Sequence, residues 1–194
     1  MTERSTIITF EDIAEVRPIA QNIQDLQRIQ PYIVEAEKLD VLPAIGVRMY
    51  RQMIEARKKF LANNKGVLIT TNSGSVIQVR KNEFTEILNG GYYIDCCNRE
   101  EVYQGGLISA ISYLTYARAI MQNSINFTAF GVVVKKTDTS EPASDTAIIR
   151  ASNQAKKTGL AILGQVIEYL RCKKLLPCTT RNLRHKRKFK VIGD

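Results

Sequence analysis

Hydrophobic residues recur every three or four positions along most of the chain, and this spacing predicts a mainly α fold. Helices are predicted to begin at Thr9, Asn22 and Asp40, and to run over about Glu83–Leu88, Glu100–Asn123 and Ser144–Cys172. Pro31 cannot donate to the hydrogen-bond ladder, so we expect a kink or a break in the second helix. Asn89-Gly90-Gly91 is a typical stop for the short fourth helix. The chain is therefore predicted to be a helical bundle.

Three stretches depart from helical spacing. Val67–Thr71 and Ser75–Val79 are rich in β-formers and flank a short turn with a glycine, so an inserted β-hairpin is predicted at about residues 67–79. The stretch YYIDCC, residues 92–97, indicates an extended segment. The connection at about residues 124–143 is long for a compact domain. We expect it to be a long projecting arm whose apolar part contacts another surface through Phe127, Phe130, Val132, Val133 and Val134.

Positive charge is concentrated at the C-terminus. The 194-residue chain has a net charge of +9, but residues 1–170 contribute only +1 and the last 24 residues contribute +8. A nearly neutral body with a basic tail differs from a protein that is basic throughout. We therefore predict a helical domain over residues 1–172 and an extended basic C-terminal tail over residues 173–194.

Composition also limits where the protein works. No apolar run approaches the roughly 18 residues that a membrane span needs, and the N-terminus lacks the apolar region of a signal peptide. Four cysteines in a chain of this length do not indicate a secreted disulfide framework. We expect a protein of a reducing compartment that does not contact a membrane.

The basic tail combines two patterns. Its charged part is predicted to contact a charged protein surface or DNA phosphates through Arg181, Arg184, Lys186, Arg187 and Lys188. Cationic and apolar side chains then alternate as in a strand, over Phe189, Lys190, Val191 and Ile192. A terminal strand can add to the edge of a neighbour's sheet. We therefore interpret the tail first as a docking arm and second as a nucleic-acid contact.

Residues suited to catalysis or metal binding are few. The only histidine, His185, lies among basic residues, and the sequence has neither a Walker-type phosphate loop nor a GxGxxG stretch. Zinc could be held by Cys172, Cys178 and His185, together with Cys96 or Cys97, but a CxxxxxC spacing does not match the usual ligand pairs. We favour ordinary thiols near a helix end over a zinc site. No enzyme activity and no cofactor are predicted.

Five stretches resemble one family of phage proteins, in the same order along the chain. They are NIQDLQRIQPYIVEAEKLDVLPAIGVRMYRQM, EILNGGYY, YQGGLISAISYLTYARAI, TAFGVVVKKTDTSEPASD and ILGQVIEYLRC. Over roughly residues 22–192 the chain resembles the head–tail connector, adaptor or head-completion ring proteins of tailed bacteriophages. The likeness is greatest to those of Bacteroidetes-infecting and crAss-like phages. It rests on helix patterns and short signatures, and it implies no catalytic residues.

The resemblance implies a structural protein of the virion, located in the neck between head and tail after assembly in the host cytoplasm. Its partners would be further copies in a ring, dodecameric to match the portal, then the portal itself and the next tail or neck component, with genomic DNA in the lumen. Structural or interfacial roles are implied for Asn89-Gly90-Gly91, Gly105-Gly106-Leu107 and Phe130–Val133, and the portal or a neighbouring subunit would receive Phe189–Ile192. The alternative is a nucleic-acid-binding protein that uses its basic tail.

Overall fold

The computed structural model describes residues 6–16, 23–63, 66–71, 74–97, 99–123, 125–128, 131–134 and 144–177. Its helices are α1 Phe10–Val16, α2 Ile23–Ala36, α3 Leu42–Ile45, α4 Val47–Asn63, α5 Lys81–Asn89, α6 Gly106–Asn123 and α7 Asp145–Cys172. Its strands are β1 Val67–Thr70, β2 Val76–Val79, β3 Gly91–Ile94, β4 Glu101–Gln104, β5 Ile125–Thr128 and β6 Gly131–Val134. The strands pair in sequence order as three antiparallel hairpins. The predicted mainly α fold with an inserted hairpin at residues 67–79 is confirmed.

Helix α6 lies at the centre of the fold. It contacts α1, α2, α5 and α7, and its most extensive contact is with α7. Its buried side chains lie on several sides of the helix and include the hydroxyl residues Ser112 and Thr115. A helix that is buried on most of its circumference is stable only when other elements surround it. The four contacting helices therefore form one core around α6, and the largest buried side chains in this core include Phe84, Ile33 and Tyr169.

Helices α6 and α7 run antiparallel and approach each other closely. Gly105 faces Ile162, Gly159 faces Leu114, and Ser152 donates its hydroxyl proton to the carbonyl oxygen of Ala117 at 2.8 Å. A Cβ atom at Gly159 would lie 2.8 Å from Cγ of Leu114, so only glycine permits this spacing without a shift. The predicted bounds of α7 are confirmed, because Ser144 is its N-cap and Cys172 is its last residue.

Of the kink or break predicted at Pro31, the break is wrong. Helix α2 continues through this proline from Ile23 to Ala36. The Pro31 ring is exposed, whereas Ile29 and Ile33 on either side of it are buried in the core. Burial of these two side chains holds the turns before and after the proline in one helix, which offsets the missing hydrogen bond.

The helix start predicted at Asp40 is also wrong. Helix α2 passes into a π-helical turn, Glu37–Val41, and then directly into α3, so Asp40 lies within a continuous helical run. Its carboxylate pairs with Arg118 of α6, at 2.7 Å between Oδ2 and Nη2. The run ends at Gly46, where a φ of 84° separates α3 from α4.

A buried carboxylate connects the N-terminal segment to this π-helical turn. Glu37 is fully buried, and its Oε1 accepts hydrogen bonds from the backbone N–H groups of Ile7 at 2.8 Å and Ile8 at 3.0 Å. The hydroxyl of Tyr50 donates to Oε2 at 2.8 Å. Burial raises the pKa of Glu37, although the three donors partly oppose this shift.

The long central helix begins later than predicted. Residues Glu101–Gln104 form strand β4 and pair with β3, and α6 starts only at Gly106. Gly106 has a φ of 80°, and a Cβ atom there would overlap the carbonyl oxygen of Leu88. The predicted stop after α5 is confirmed, because Gly90 caps it with a φ of 91°. The two glycine positions bring the end of α5 against the start of α6.

The predicted arm is described in part. Strands β5 and β6 form the third hairpin, in which Phe127 is opposite Val132 and Asn126 is opposite Val133. Phe130 lies outside the described residues, as do the side chains of Phe127, Val132, Val133 and Val134. The arm interface therefore stays a prediction.

The helical domain includes residues beyond α7. Lys174 has a left-handed φ of 58°, and its N–H donates to the carbonyl of Arg171 at 2.9 Å. The N–H of Leu175 donates to the carbonyl of Leu170 at 2.9 Å, which completes a Schellman motif. The turn brings Leu175 and Leu176 into the core, where both are buried. No helix of the described ranges has the length and apolarity that crossing a membrane requires.

Candidate assembly surface and thiol cluster

The β3–β4 hairpin is anchored to the body through one of its faces. The ring of Tyr93 meets that of Tyr169 edge to face, with 5.0 Å between centroids. The Tyr169 hydroxyl donates to Oε2 of Glu86 at 2.6 Å, and burial together with this carboxylate raises the pKa of Tyr169. Gln104, also fully buried, accepts from the N–H of Gly106 at 2.8 Å through its Oε1. Helices α5, α6 and α7 thus hold the hairpin rigidly in place.

The other face of this hairpin is apolar and open. It carries Tyr92, Ile94 and Tyr103, which are 68%, 70% and 50% exposed. Tyr92 and Tyr103 are direct cross-strand partners, and their tilted rings have centroids 5.2 Å apart. Cross-strand aromatic pairs stabilise a hairpin by roughly 0.2–1 kcal/mol, so the two rings stiffen the surface that they expose. This face also carries Glu101, the cross-strand partner of Ile94, and we call it the outer face of β3–β4.

One carboxylate, Glu101, lies on the outer face as the cross-strand partner of Ile94, and Glu100 precedes it in the chain. Glu100 and Glu101 are both exposed at the start of β4, and neither forms an ion pair with another described residue. An apolar patch with an acidic border suits a partner segment that carries both apolar and basic side chains. The β1–β2 hairpin also exposes apolar residues, Leu68 at 62% and Val76 at 64%.

Each hairpin has free edges within the described residues, because every sheet there contains only two strands. An unpaired strand edge presents a row of N–H and C=O groups to which a further strand can add. Tyr92, Ile94 and Tyr103 are not among the site residues predicted from the sequence. A usable signal was present, since alternation in YYI and EVYQ places these three side chains on one face of a strand pair.

The predicted tail residues lie outside the described residues. They are Arg181, Arg184, Lys186, Arg187 and Lys188 for the charged contact, and Phe189, Lys190, Val191 and Ile192 for docking. The described chain ends at Pro177. The docking role of the tail therefore stays a prediction.

Three cysteines meet where the turn after β3 approaches the end of α7. The sulfur atoms of Cys96 and Cys172 are 2.6 Å apart, and that of Cys97 is 3.9 Å from Cys96. Cys172 also donates to Oδ1 of Asp95 at 3.3 Å, and the backbone N–H of Cys96 donates to the sulfur of Cys172 at 3.3 Å. We call Asp95, Cys96, Cys97 and Cys172 the thiol cluster.

The thiol cluster disfavours negative charge. Hydrogen bonding to Cys172 raises the pKa of Cys96 to about 12, with smaller contributions from desolvation and from Cys97. Asp95, Cys96 and Cys97 bring ligand atoms within 4.8 Å of one another, so this turn is where a cation could be held. Of the other zinc ligands considered, Cys172 joins the cluster, whereas Cys178 and His185 lie outside the described residues.

Comparison with known proteins gives a family and no described function. No curated protein and no solved structure matches the chain. The family described as "Family of unknown function (DUF6712)" matches residues 64–176. This segment runs from just before β1 to the buried leucines after α7, and it includes the outer face of β3–β4 and the thiol cluster. Because the match spans more than half of the sequence, the chain belongs to the DUF6712 family.

Proposed function

We propose that this chain is a structural virion protein that forms a ring under the portal of a tailed phage, joins the head to the tail and extends the DNA channel. The ring is dodecameric, assembles in the host cytoplasm and contacts the next tail or neck component. No catalytic residue and no cofactor take part. The proposal builds on the resemblance to head–tail connectors, and its main structural support is the outer face of β3–β4.

A rigidly held apolar face is suited to a permanent contact. Tyr92, Ile94 and Tyr103 are each at least half exposed in the single chain, and aromatic residues are enriched in the buried centre of protein interfaces. In a ring, one surface of each subunit meets a different surface of the next. We assign the outer face of β3–β4 as the receiving side of that contact.

The occupant that we assign to this face is the tail of the neighbouring copy. Residues 178–194 span up to roughly 60 Å when extended, which is enough to cross a subunit boundary. Phe189–Ile192 would add to a free hairpin edge and place apolar side chains beside Tyr92 or Tyr103, in line with the outer face. The basic residues before them would lie beside Glu100 and Glu101, whose negative charges complement the tail.

Microscopy of the purified protein tests the ring. Negative-stain images, alone and mixed with the portal of the same phage, should show rings or added density under the portal. Light scattering after size-exclusion chromatography gives the mass of the assembly. A protein that stays monomeric at all concentrations and does not bind the portal would refute the proposal.

Charge reversal tests the assigned contact. The double variant Glu100→Lys/Glu101→Lys should weaken the ring, whereas Glu55→Lys on the exposed surface of α4 should leave it intact. Combining the double variant with Arg187→Glu/Lys188→Glu should restore assembly, because the two sides then exchange charges. Failure of this rescue, with all variants folded by circular dichroism, would assign the tail to a different surface.

The alternative function is nucleic-acid binding by the basic tail, which is favoured by the +8 charge of the last 24 residues. Contacts of six to ten cations with phosphates lose about 10³–10⁵ in affinity between 50 and 200 mM salt. Removal of residues 178–194 separates the two functions. If the shortened protein loses duplex DNA binding but still forms rings and binds the portal, the tail is a nucleic-acid contact. If it retains DNA binding but no longer assembles, the tail is a docking arm.

A further inference from the structure

We propose that Cys96 and Cys172 are a covalent modification site, at which an oxidising medium forms an intramolecular disulfide bond. The bond joins the turn between β3 and β4 to the last residue of α7. Both residues belong to the folded body, and their sulfur atoms are 2.6 Å apart. This inference does not depend on the proposed function, since it requires neither a ring nor a portal.

The sulfur positions distinguish a disulfide from a metal site. A disulfide bond is about 2.05 Å long, so the sulfur atoms of Cys96 and Cys172 must approach by only about 0.5 Å. Two thiolates on one tetrahedral zinc ion, with bonds of about 2.3 Å, lie about 3.8 Å apart. The 3.9 Å between Cys96 and Cys97 would fit a shared ion, but the pair of Cys96 and Cys172 is far too close. The geometry therefore favours a bond between the sulfurs.

Local hydrogen bonds hold Cys172 toward Cys96. The backbone N–H of Cys96 donates to the Cys172 sulfur at 3.3 Å, and the Cys172 thiol is within 3.3 Å of Oδ1 of Asp95. Asp95 is in turn held by the turn itself, because its N–H donates to the carbonyl of Glu100 at 2.8 Å. Little side-chain rearrangement is needed, which reduces the strain in the oxidised state.

Electrostatics favour the disulfide once it has formed. Hydrogen bonding to Cys172 raises the pKa of Cys96, so the reduced pair gains little from ionisation of Cys96. A reduced form that gains nothing from ionisation leaves the disulfide stable, whereas formation is slow at neutral pH because few thiolates are present.

The reaction needs an oxidant, and we name a small disulfide such as oxidised glutathione. The exposed Cys96 loses its proton and attacks the small disulfide, which releases one glutathione thiolate and leaves a mixed disulfide. The thiolate of Cys172 then attacks the Cys96 sulfur and expels the second glutathione. The protein loses two protons and two electrons in total, and one small disulfide becomes two thiols.

The test uses the full chain with two cysteines replaced. In the variant Cys97→Ser/Cys178→Ser, Cys96 and Cys172 are the two remaining cysteines of the sequence. Incubation with excess oxidised glutathione should remove both free thiols, lower the intact mass by two hydrogens, and give a tryptic peptide that links residues 82–99 to Cys172. The bond closes a separation of 76 residues, so Tm should rise by about 5–10 °C, and a reductant should reverse the rise.

The matched control is Cys96→Ser/Cys178→Ser, which keeps one thiol in the same turn at the adjacent position. It should form the link to Cys172 at least tenfold more slowly. Two thiols that stay free in the first variant, or equal rates in the two variants, would overturn the proposal. Metal binding by the reduced wild-type protein would also overturn the proposal. The protein would then bind one equivalent of cobalt(II) with a thiolate charge-transfer band, and it would oxidise only after a chelator is added.

Discussion

Replacing Glu37 with leucine should detach the N-terminal segment from the core while the remaining helices stay folded. The Glu37 carboxylate is the acceptor for the backbone N–H groups of Ile7 and Ile8 and for the Tyr50 hydroxyl. Leucine has a similar volume but no acceptor. The substitution therefore leaves three donors without partners at a position from which water is excluded.

The cost follows from those donors. Each buried donor without a partner costs about 1–3 kcal/mol. Burying an apolar side chain in place of a carboxylate recovers part of this loss. We expect the free energy of unfolding to fall by about 3–5 kcal/mol. Release of the segment limits the loss, because the N–H groups of Ile7 and Ile8 can then bind water.

Hydrogen exchange followed by mass spectrometry measures the effect locally. In Glu37→Leu, amides of residues 6–16 should exchange much faster, whereas those of α6 should change little. Tyr50→Phe is the control, since it removes a single donor and should cost only about 0.5–1.5 kcal/mol. Unchanged protection of residues 6–16, or a stability loss no larger than that of Tyr50→Phe, would refute the role assigned to Glu37.

Three further predictions concern stability, each measured by urea denaturation. Gly159→Ala should cost about 1–3 kcal/mol because its Cβ meets Leu114 at 2.8 Å, whereas Gly164→Ala, with open space around it, should stabilise α7 by about 0.5–1 kcal/mol. Gly106→Ala should lower the stability more than Gly74→Ala. Both positions have positive φ, but only at Gly106 would the added Cβ atom overlap backbone atoms. Equal losses of stability in the two variants would contradict the overlap. Burial raises the pKa of Glu37 in the folded protein. The part of the folding stability that depends on protonation of Glu37 is therefore fully present below the unfolded pKa, and it is lost as the pH rises through the folded pKa. Glu37→Gln, which cannot titrate, should remove this part of the pH dependence, and an unchanged profile would contradict it.

Elements with strong local signals could be predicted from the sequence. Ser144 and the apolar spacing that follows it define α7, and the β-rich runs around Gly74 define the β1–β2 hairpin. Gly90 ends α5 as expected. In these places the residues that determine the structure are neighbours along the chain, so propensity and tertiary packing agree.

Elements that depend on partners distant in the sequence could not be predicted from it. Strand β4 has only four residues, and its short alternation is followed directly by strong helical spacing, so its residues were predicted to begin the helix over Glu100–Asn123. Glu37 lies four residues after the buried Ile33 and directly after the end of α2, and this spacing is a sequence signal for a buried acid. The thiol cluster joins residues 76 positions apart, which no spacing rule can bring together.

The central position of α6 has a consequence for synthesis of the chain. Helices α1, α2 and α5 leave the ribosome before α6, but α7, which covers its remaining side, leaves last. Translation of the 28 residues of α7 takes about 1.5–6 s at roughly 5–20 residues/s. During that time Leu107, Ile111 and Leu114 lack part of their final cover, so nascent chains on neighbouring ribosomes have a few seconds in which to associate through this surface before each one closes on itself.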